Sequence, residues 1–213
     1  QETTTAELIE KKVLAPLNIK CIILKYSDEI RKSVVKAEYK DEIDYLISKD
    51  SRNNFIKNLA LSLKGNTLIL FTRIESHGDI LDKKIREAIS EDRKYFYVHG
   101  GVDGEERDAL RAVVEKENDA IILGSYGVFS VGTNIKNISN IIFASPYKSQ
   151  VKVLQSIGRG LRALGDKKLT LFDIADDLSW KRSRNHTMNH FTERVKIYDS
   201  QEFMYKLYFV GIK

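Results

Sequence analysis

The chain has 213 residues, of which 42% are hydrophobic, and this suits one ordinary α/β domain with a modest appendage rather than a disordered protein. The 35 Lys and Arg residues exceed the 30 Asp and Glu residues, and a net charge of +5 is compatible with a polyanionic partner without requiring one. A single cysteine, Cys21, excludes an internal disulfide and indicates a buried thiol in a reducing compartment. No apolar stretch reaches the length of a membrane span, and the first residues lack signal-peptide features, so we expect a soluble cytoplasmic protein with no membrane partner.

The first elements predicted along the chain are a short helix and a strand. The helix begins near Thr4 and continues to Val13, before Pro16, and the strand covers residues 19–26. Two further helices are predicted over residues 41–49 and 51–64, because apolar residues recur there at helical spacing.

Five short apolar runs then alternate with amphipathic segments, at residues 67–71, 95–99, 120–124, 140–144 and 169–174. Runs this continuously apolar are typical of parallel strands that helices cover on both faces. Ligands of such sheets bind at the carboxyl ends of the strands, which here lead into loops at residues 72–77, 100–104, 125–134 and 144–149. After Asp177 the composition turns basic and aromatic, so we expect a domain over residues 1–177 and a mostly helical extension over residues 178–213.

The pattern Q-x-x-G-R-x-x-R lies on a helix predicted from about residue 149 to 165, and its members are Gln155, Gly158, Arg159 and Arg162. Arg159 and Arg162 share a helical face, where two guanidinium groups can clamp phosphate oxygens. Helix stability does not explain Gly158, because a glycine costs about 1 kcal/mol relative to alanine in a helix interior. A solvated helix with surface ion pairs is the alternative for this segment.

This pattern resembles motif VI of superfamily-two helicases, in which two arginines reach the γ-phosphate of ATP on a first motor domain. The resemblance implies a catalytic set in which Arg162 is the arginine finger, assisted by Arg159 and Gln155. Arginine fingers are worth about 10³ to 10⁵ in rate in phosphoryl-transfer enzymes generally.

The segment from Gly124 to Asn134 resembles motif V of the same helicases. The family's Ser or Thr after this strand contacts a nucleic-acid phosphate and matches Ser125, while its acidic ribose contact matches Asn134. Asn departs from the family pattern, because its amide can bond a ribose hydroxyl but carries no charge. The resemblance implies nucleotide contacts from Gly132, Asn134 and Gly158, and a glycine-rich turn with a capping Asn is the alternative.

Two earlier strand ends resemble motifs IV and IVa. They imply nucleic-acid contacts from the side chains of Thr72, Arg73 and His99, from the backbone at Gly100 and from the following Arg107. Such groups suit phosphate and sugar contacts without base reading. Alternatively, His99 and Arg107 are capping or solvated groups. The four histidines and one cysteine lack the spacing of a zinc site, so no metal ligand is predicted.

The resemblance covers about residues 1–178 and is closest to the UvsW-type recombination and repair helicases of tailed phages. It implies a RecA-like parallel sheet with helices on both faces and a helical C-terminal tail. The implied function is that of the second motor domain of an ATP-dependent DNA helicase, which unwinds or remodels branched or forked DNA in recombination, repair and replication. The implied location is then the cytoplasm of the host cell.

The chain contains neither a G-x-x-x-x-G-K-S/T phosphate loop nor a D-E-x-D/H motif after a strand. We therefore expect ATP with Mg²⁺ to be bound mainly by an N-terminal motor domain of the same polypeptide, and these residues alone to be inactive. One rival function is a non-motor module that binds nucleic acid or a partner on the same fold. A small-molecule α/β enzyme is disfavoured, because neither a nucleophile elbow nor a dinucleotide motif occurs.

The basic and aromatic tail allows two interpretations. Bases could stack on its aromatic rings while its cations meet phosphate; the residues concerned are Trp180, Lys181, Arg182, Arg184, His186, Phe191, Arg194 and Lys196. The favoured interpretation is an amphipathic helix that turns Phe191, Val195 and Tyr198 toward the core. The apolar run over residues 203–212 should pack against the sheet or an adjoining domain.

Overall fold

Seven parallel strands form one sheet in the computed structural model, which describes residues 17–100, 112–113, 115–129, 137–145 and 169–212. The strands are β1 (Leu17–Lys25), β2 (Thr67–Phe71), β3 (Tyr95–Val98), β4 (Ile121–Ser125), β5 (Asn140–Phe143), β6 (Leu169–Asp177) and β7 (Tyr205–Gly211). Their spatial order is β3-β4-β2-β5-β6-β1-β7, and each neighbouring pair is parallel. All the carboxyl ends of these strands therefore lie along one edge of the sheet.

Helices connect the strands in the described part of the chain. They are α1 (Asp28–Val34), α2 (Tyr39–Ser48), α3 (Asp50–Ser62), α4 (Asp79–Arg86), the short α5 (Tyr126–Phe129) and α6 (His186–Ser200). A π-helical turn at Ile74–Gly78 leads directly into α4, where the sequence predicts a loop. No helix among the described residues is both long and apolar enough to cross a bilayer.

The hydrophobic core has two layers, because successive strand residues point to opposite faces of the sheet. On one face, strand residues such as Leu70 and Ile122 pack with Phe191 and Tyr198 of α6. On the other face, strand residues such as Ile69 and Leu123 pack with helical residues that include Ile56 of α3. Helices thus cover both faces, and the predicted α/β class is confirmed.

Within the described residues, most predicted elements agree with the structure to within two residues, and β6 is the main exception; the helices predicted near residues 4–13 and 149–165 lie outside the described residues. The prediction ends this strand at residue 174, before Asp176 and Asp177, whereas the strand continues to Asp177. Asp173 and Asp176 remain inside it because each carboxylate binds a fully buried arginine, Arg194 or Arg52. A buried carboxylate is tolerated in a strand interior when it is paired and hydrogen-bonded.

The tail comprises α6 and β7, so it is less helical than the sequence predicts. The predicted packing of α6 is confirmed, since Phe191 and Tyr198 are buried and Val195 packs against them. Arg194 is fully buried against Asp173, and its proposed place among cations that meet phosphate is wrong. The last apolar run forms β7, which hydrogen-bonds to β1 and extends the sheet.

Candidate nucleic-acid interface

Three of the predicted nucleic-acid contacts form a row across neighbouring strands. In the strand register, Val98 lies beside Gly124 and Ser125 lies beside Phe71. His99, Ser125 and Thr72 therefore follow one another along the carboxyl edge, at about 5 Å from strand to strand. The structure thus brings together residues that are separated by more than twenty positions in the sequence.

The Thr72 side chain is held by Ser145, which follows β5. The backbone N–H and the Oγ1 hydroxyl of Thr72 both donate to Ser145 Oγ, at 3.1 and 3.2 Å. Ser145 is 2% exposed and was not among the predicted site residues, although it lies in a loop predicted at this edge. The signal that could have found it is its position directly after a strand, beside the strand that carries Thr72.

His77 completes this cluster from the π-helical turn. Its Nδ1 lies 3.1 Å from Ser145 Oγ, and the ring is fully buried. Burial, together with the nearby Arg52 and Arg73, holds the pKa of His77 well below its ordinary value, so the ring is neutral. A neutral ring can accept the Ser145 proton while Ser145 accepts from Thr72, and this arrangement fixes the Thr72 hydroxyl.

Arg73 lies at the surface beside α2. Its guanidinium pairs with Asp44 of α2, and both side chains are partly exposed. An exposed ion pair of this kind contributes at most about 1 kcal/mol. Because a guanidinium has five N–H donors, Arg73 can take a phosphate without first losing a buried contact.

His99 and Gly100 end β3 with accessible groups. The His99 ring is partly exposed and lies 4.9 Å from the Tyr97 ring, measured between ring centroids. Gly100 is exposed, and a Cβ atom built on it would meet no atom of the described residues within 4 Å. None of the described residues therefore blocks a close approach of a ligand to its backbone.

Ser125 is the last residue of β4 rather than the first of the following loop. It is 6% exposed, so only a small part of it reaches the edge. The preceding Gly124 is required by packing, since a Cβ there would lie 2.2 Å from the Phe129 ring. Through this contact α5 folds back over the end of the strand.

A buried ion pair supports the same edge from below. Arg52 of α3 donates to both carboxylate oxygens of Asp176, at 2.8 and 3.0 Å, and to the backbone carbonyl of Ala144, at 2.8 Å. Tyr26 donates to the same carboxylate at 2.7 Å. These bonds tie the carboxyl ends of β1, β5 and β6 to one helix.

The remaining predicted site residues lie outside the described residues: Arg107, Gly132, Asn134, Gln155, Gly158, Arg159 and Arg162. Within the described part, no group of three or more His, Cys, Asp or Glu side chains is arranged to hold a metal ion. Asp173 and Asp176 are both committed to arginines.

A parallel sheet covered on both faces, with polar groups along its carboxyl edge, is the architecture of a RecA-like motor domain. The chain belongs to the helicase conserved C-terminal domain family, whose family model matches residues 51–164. It is similar to the ATP-dependent DNA helicase UvsW of Enterobacteria phage T4, with 32% identity over 98% of this chain and 44% of the relative. The chain thus spans less than half the length of that relative.

Solved structures agree with this assignment. The crystal structure of T4 UvsW superposes with a TM-score of 0.78 and 31% identity, over 92% of this chain and 42% of that one. The C-terminal domain of the DEAD-box protein Dbp5 has a TM-score of 0.58 at 12% identity, over 94% of this chain and 92% of that one. The type ISP restriction-modification enzyme LlaBIII has a TM-score of 0.61 at 14% identity, over 99% of this chain and 16% of that one. The last two show the shared fold alone, and the predicted RecA-like fold is confirmed.

Proposed function

We propose that this chain is the second motor domain of an ATP-dependent DNA helicase that unwinds or remodels branched DNA in recombination, repair and replication. The observation that carries the proposal is the row of His99, Ser125 and Thr72 at one edge of the sheet. This row lies in a chain that, over 98% of its own residues, is 32% identical to a phage DNA helicase. Hydroxyl, imidazole and backbone groups in such a row bind the sugar-phosphate backbone without reading bases.

The nucleic acid in this proposal follows the carboxyl edge. Arg73 and the Gly100 backbone add contacts on either side of the row, and Arg107 adds one more. Ser145 and His77 hold the Thr72 side chain in one position, and its hydroxyl contacts phosphate by turning its proton from Ser145 to a phosphate oxygen. Repeated contacts of this kind suit a motor that tracks along a strand of any sequence.

ATP with Mg²⁺ is bound mainly by an N-terminal motor domain of the same polypeptide. In this proposal Arg162 and Arg159, with Gln155, stabilise the charge that develops on the transferred phosphoryl group, and Gly132, Asn134 and Gly158 contact the nucleotide. Closure of the two domains then couples ATP turnover to movement along DNA. The buried carboxylates Asp173 and Asp176 take no part in binding Mg²⁺, because both are neutralised by arginines.

The first test is the nucleic-acid-stimulated ATPase activity of the full-length protein and of its Arg162→Ala variant. Forked DNA and RNA duplexes are compared side by side as stimulants. We expect forked DNA to stimulate more strongly, and Arg162→Ala to lower turnover by about 10³-fold or more with DNA affinity nearly unchanged. Arg86→Ala is the matched control, because Arg86 is an exposed arginine paired with Asp82 on α4.

Two results would contradict the proposal. Normal turnover by Arg162→Ala would remove the finger role from this residue. Tight DNA binding by a full-length protein that shows no stimulated ATPase would instead support the non-motor module.

A further inference from the structure

A second group of cations lies at the same edge of the sheet, beyond the described Thr72 row. It is contributed by two connections, one after β1 and one after β6, and these strands are hydrogen-bonded neighbours. The basic turn surface is defined here by Arg31, Lys32, Trp180, Lys181, Arg182 and Arg184. The fold thus joins residues that are about 150 positions apart in the sequence.

The turn after β6 has a fixed backbone. Trp180 and Ser183 exchange two backbone hydrogen bonds of 2.9 Å, and Lys181 between them has a positive φ of 53°. Lys181 and Arg182 occupy the tip of this turn, and both are exposed. Because these two hydrogen bonds fix the backbone of the turn, the side chains of Lys181 and Arg182 project from fixed backbone positions.

Cation–π contacts attach this turn to α1. The Lys32 Nζ atom lies 4.8 Å from the Trp180 ring centroid, and the Arg31 Cζ atom lies 5.4 Å from it. Arg31 also donates to the Ser179 carbonyl at 3.2 Å. The ring is therefore used to position cations, which makes the base-stacking interpretation of Trp180 unnecessary.

The positive charge of this surface is only partly neutralised. Asp28 pairs with Arg31, and Asp177 pairs with Lys25, which leaves Glu29 as the remaining carboxylate of α1. Within the described part of the chain, Lys32, Lys181 and Arg182 form no ion pair. Arg184 is exposed, and its Nη1 donates to the Thr192 hydroxyl at 3.1 Å.

We propose that the basic turn surface binds the phosphate backbone of the nucleic acid, as an extension of the path that passes Thr72. This inference rests on the proposed function, because it adds a contact to the same bound strand. In the sheet, β6 lies two strands from β2, a separation of about 10 Å. A B-form strand advances about 3.4 Å per nucleotide, so a strand that passes from the end of β2 to the end of β6 advances by about three nucleotides.

The proposal predicts a salt-dependent loss of binding when the turn is neutralised. Full-length protein carrying Lys181→Gln and Arg182→Gln is titrated with labelled single-stranded and forked DNA at several salt concentrations. Each phosphate contact contributes about 0.9 to the slope of log affinity against log salt on duplex DNA, and about 0.7 on single strands. We expect the slope to become shallower by about 1 to 2, equally for different sequences.

The matched control removes the same charge from the opposite edge of the sheet. Lys64 and Lys116 are exposed and precede β2 and β4, so Lys64→Gln with Lys116→Gln should leave the slope unchanged. An unchanged slope for the turn variant, or an equal change in both variants, overturns the proposal.

A third variant separates this inference from the proposed function. Thr72→Ala with Ser125→Ala should weaken binding at every salt concentration, because both hydroxyls belong to the row. Weaker binding by that variant, with normal binding by the turn variant, retains the helicase interface and rejects the basic turn surface. Normal binding by both variants rejects the two together.

Discussion

At the scale of single residues, the Ser145 hydroxyl connects the candidate interface to the interior. It accepts from Thr72, which faces the edge, and contacts His77, which is fully buried. Among the described residues, the other ring nitrogen of His77 has no hydrogen-bond partner. Protonation of this ring would place an uncompensated charge in the core, next to two arginines.

This burial gives folding stability a pH dependence at one residue. The pKa of His77 lies well below its ordinary value of 6.5 in the folded state, so near and below pH 6.5 the unfolded chain binds a proton that the folded chain does not. The contribution of His77 is full above about pH 6.5 and is lost as the pH falls toward the lower, folded-state pKa. Urea unfolding of wild type and His77→Gln between pH 7.5 and 5 measures it.

The prediction is tested by comparing how the free energy of unfolding changes with pH in wild type and in His77→Gln. We expect the free energy of unfolding to fall less steeply with acidification in His77→Gln than in wild type. His186→Gln, at an exposed histidine, should retain the wild-type slope. Equal slopes in all three proteins would show that His77 stays accessible to protons in the folded state.

At the scale of secondary-structure elements, α2 holds both the interface and the tail. Its Asp44 pairs with Arg73, and its Glu42 accepts hydrogen bonds at the start of α6. The Glu42 carboxylate receives the N–H groups of His186 and Thr187, at 2.9 and 2.8 Å, and the Thr187 hydroxyl, at 2.7 Å. The helix N-terminus is thus capped by a carboxylate from another helix, in place of its own N-cap side chain.

Removing this capping charge should destabilise the protein. Glu42→Gln replaces one of two acceptor oxygens by an N–H₂ donor and leaves buried donors unsatisfied, which costs about 1 to 3 kcal/mol. Glu38→Gln is the control, because Glu38 is exposed and makes no capping bond at the start of α2. Chemical denaturation of the two variants should differ by this amount, and equal stabilities would contradict the role of Glu42.

The sequence predicts the central strands well because β2, β4 and β5 are buried on both faces and are therefore apolar at nearly every position. The edge strand β7 is harder to recognise, since it is exposed for most of its length and its pairing partner is β1. Hydrophobic periodicity also cannot predict that Glu42 is buried, because the hydrogen-bond donors to its carboxylate come from the start of α6, which is distant in the sequence. The strand ends that carry Thr72 and His99 were predictable from the order of apolar and amphipathic segments along the chain. The position of Ser145 beside Thr72 required the strand register.

At the scale of the whole molecule, two buried clusters fasten a helix to each face of β6. On one face, Asp176 binds Arg52 of α3 and Tyr26; on the other, Asp173 binds Arg194 and Tyr198 of α6. All four charged side chains have no exposed surface. Because both clusters lie on β6, this one strand fixes the positions of α3 on one face of the sheet and of α6 on the other.

Breaking one cluster should therefore affect global stability. Asp176→Asn leaves Arg52 buried without its counter-charge, and removal of one partner of a buried ion pair costs about 3 to 5 kcal/mol. Glu193→Gln, in the exposed pair with Lys196, should cost no more than about 1 kcal/mol. Thermal and urea unfolding test the contrast, and a small effect at Asp176 would show that water reaches Arg52.

The order of strands in the sheet also determines when β1 can pair with its neighbours during synthesis. β1 pairs with β6 and β7, and Lys25 is 152 residues away from its ion-pair partner Asp177. At about 5 to 20 residues per second, a ribosome delivers that partner roughly 8 to 30 seconds after β1. During that interval the apolar residues of β1, among them Ile22 and Leu24, have no neighbouring strand. We therefore expect β1 to be a binding site for chaperones on the nascent chain, although in the finished domain it is hydrogen-bonded between β6 and β7.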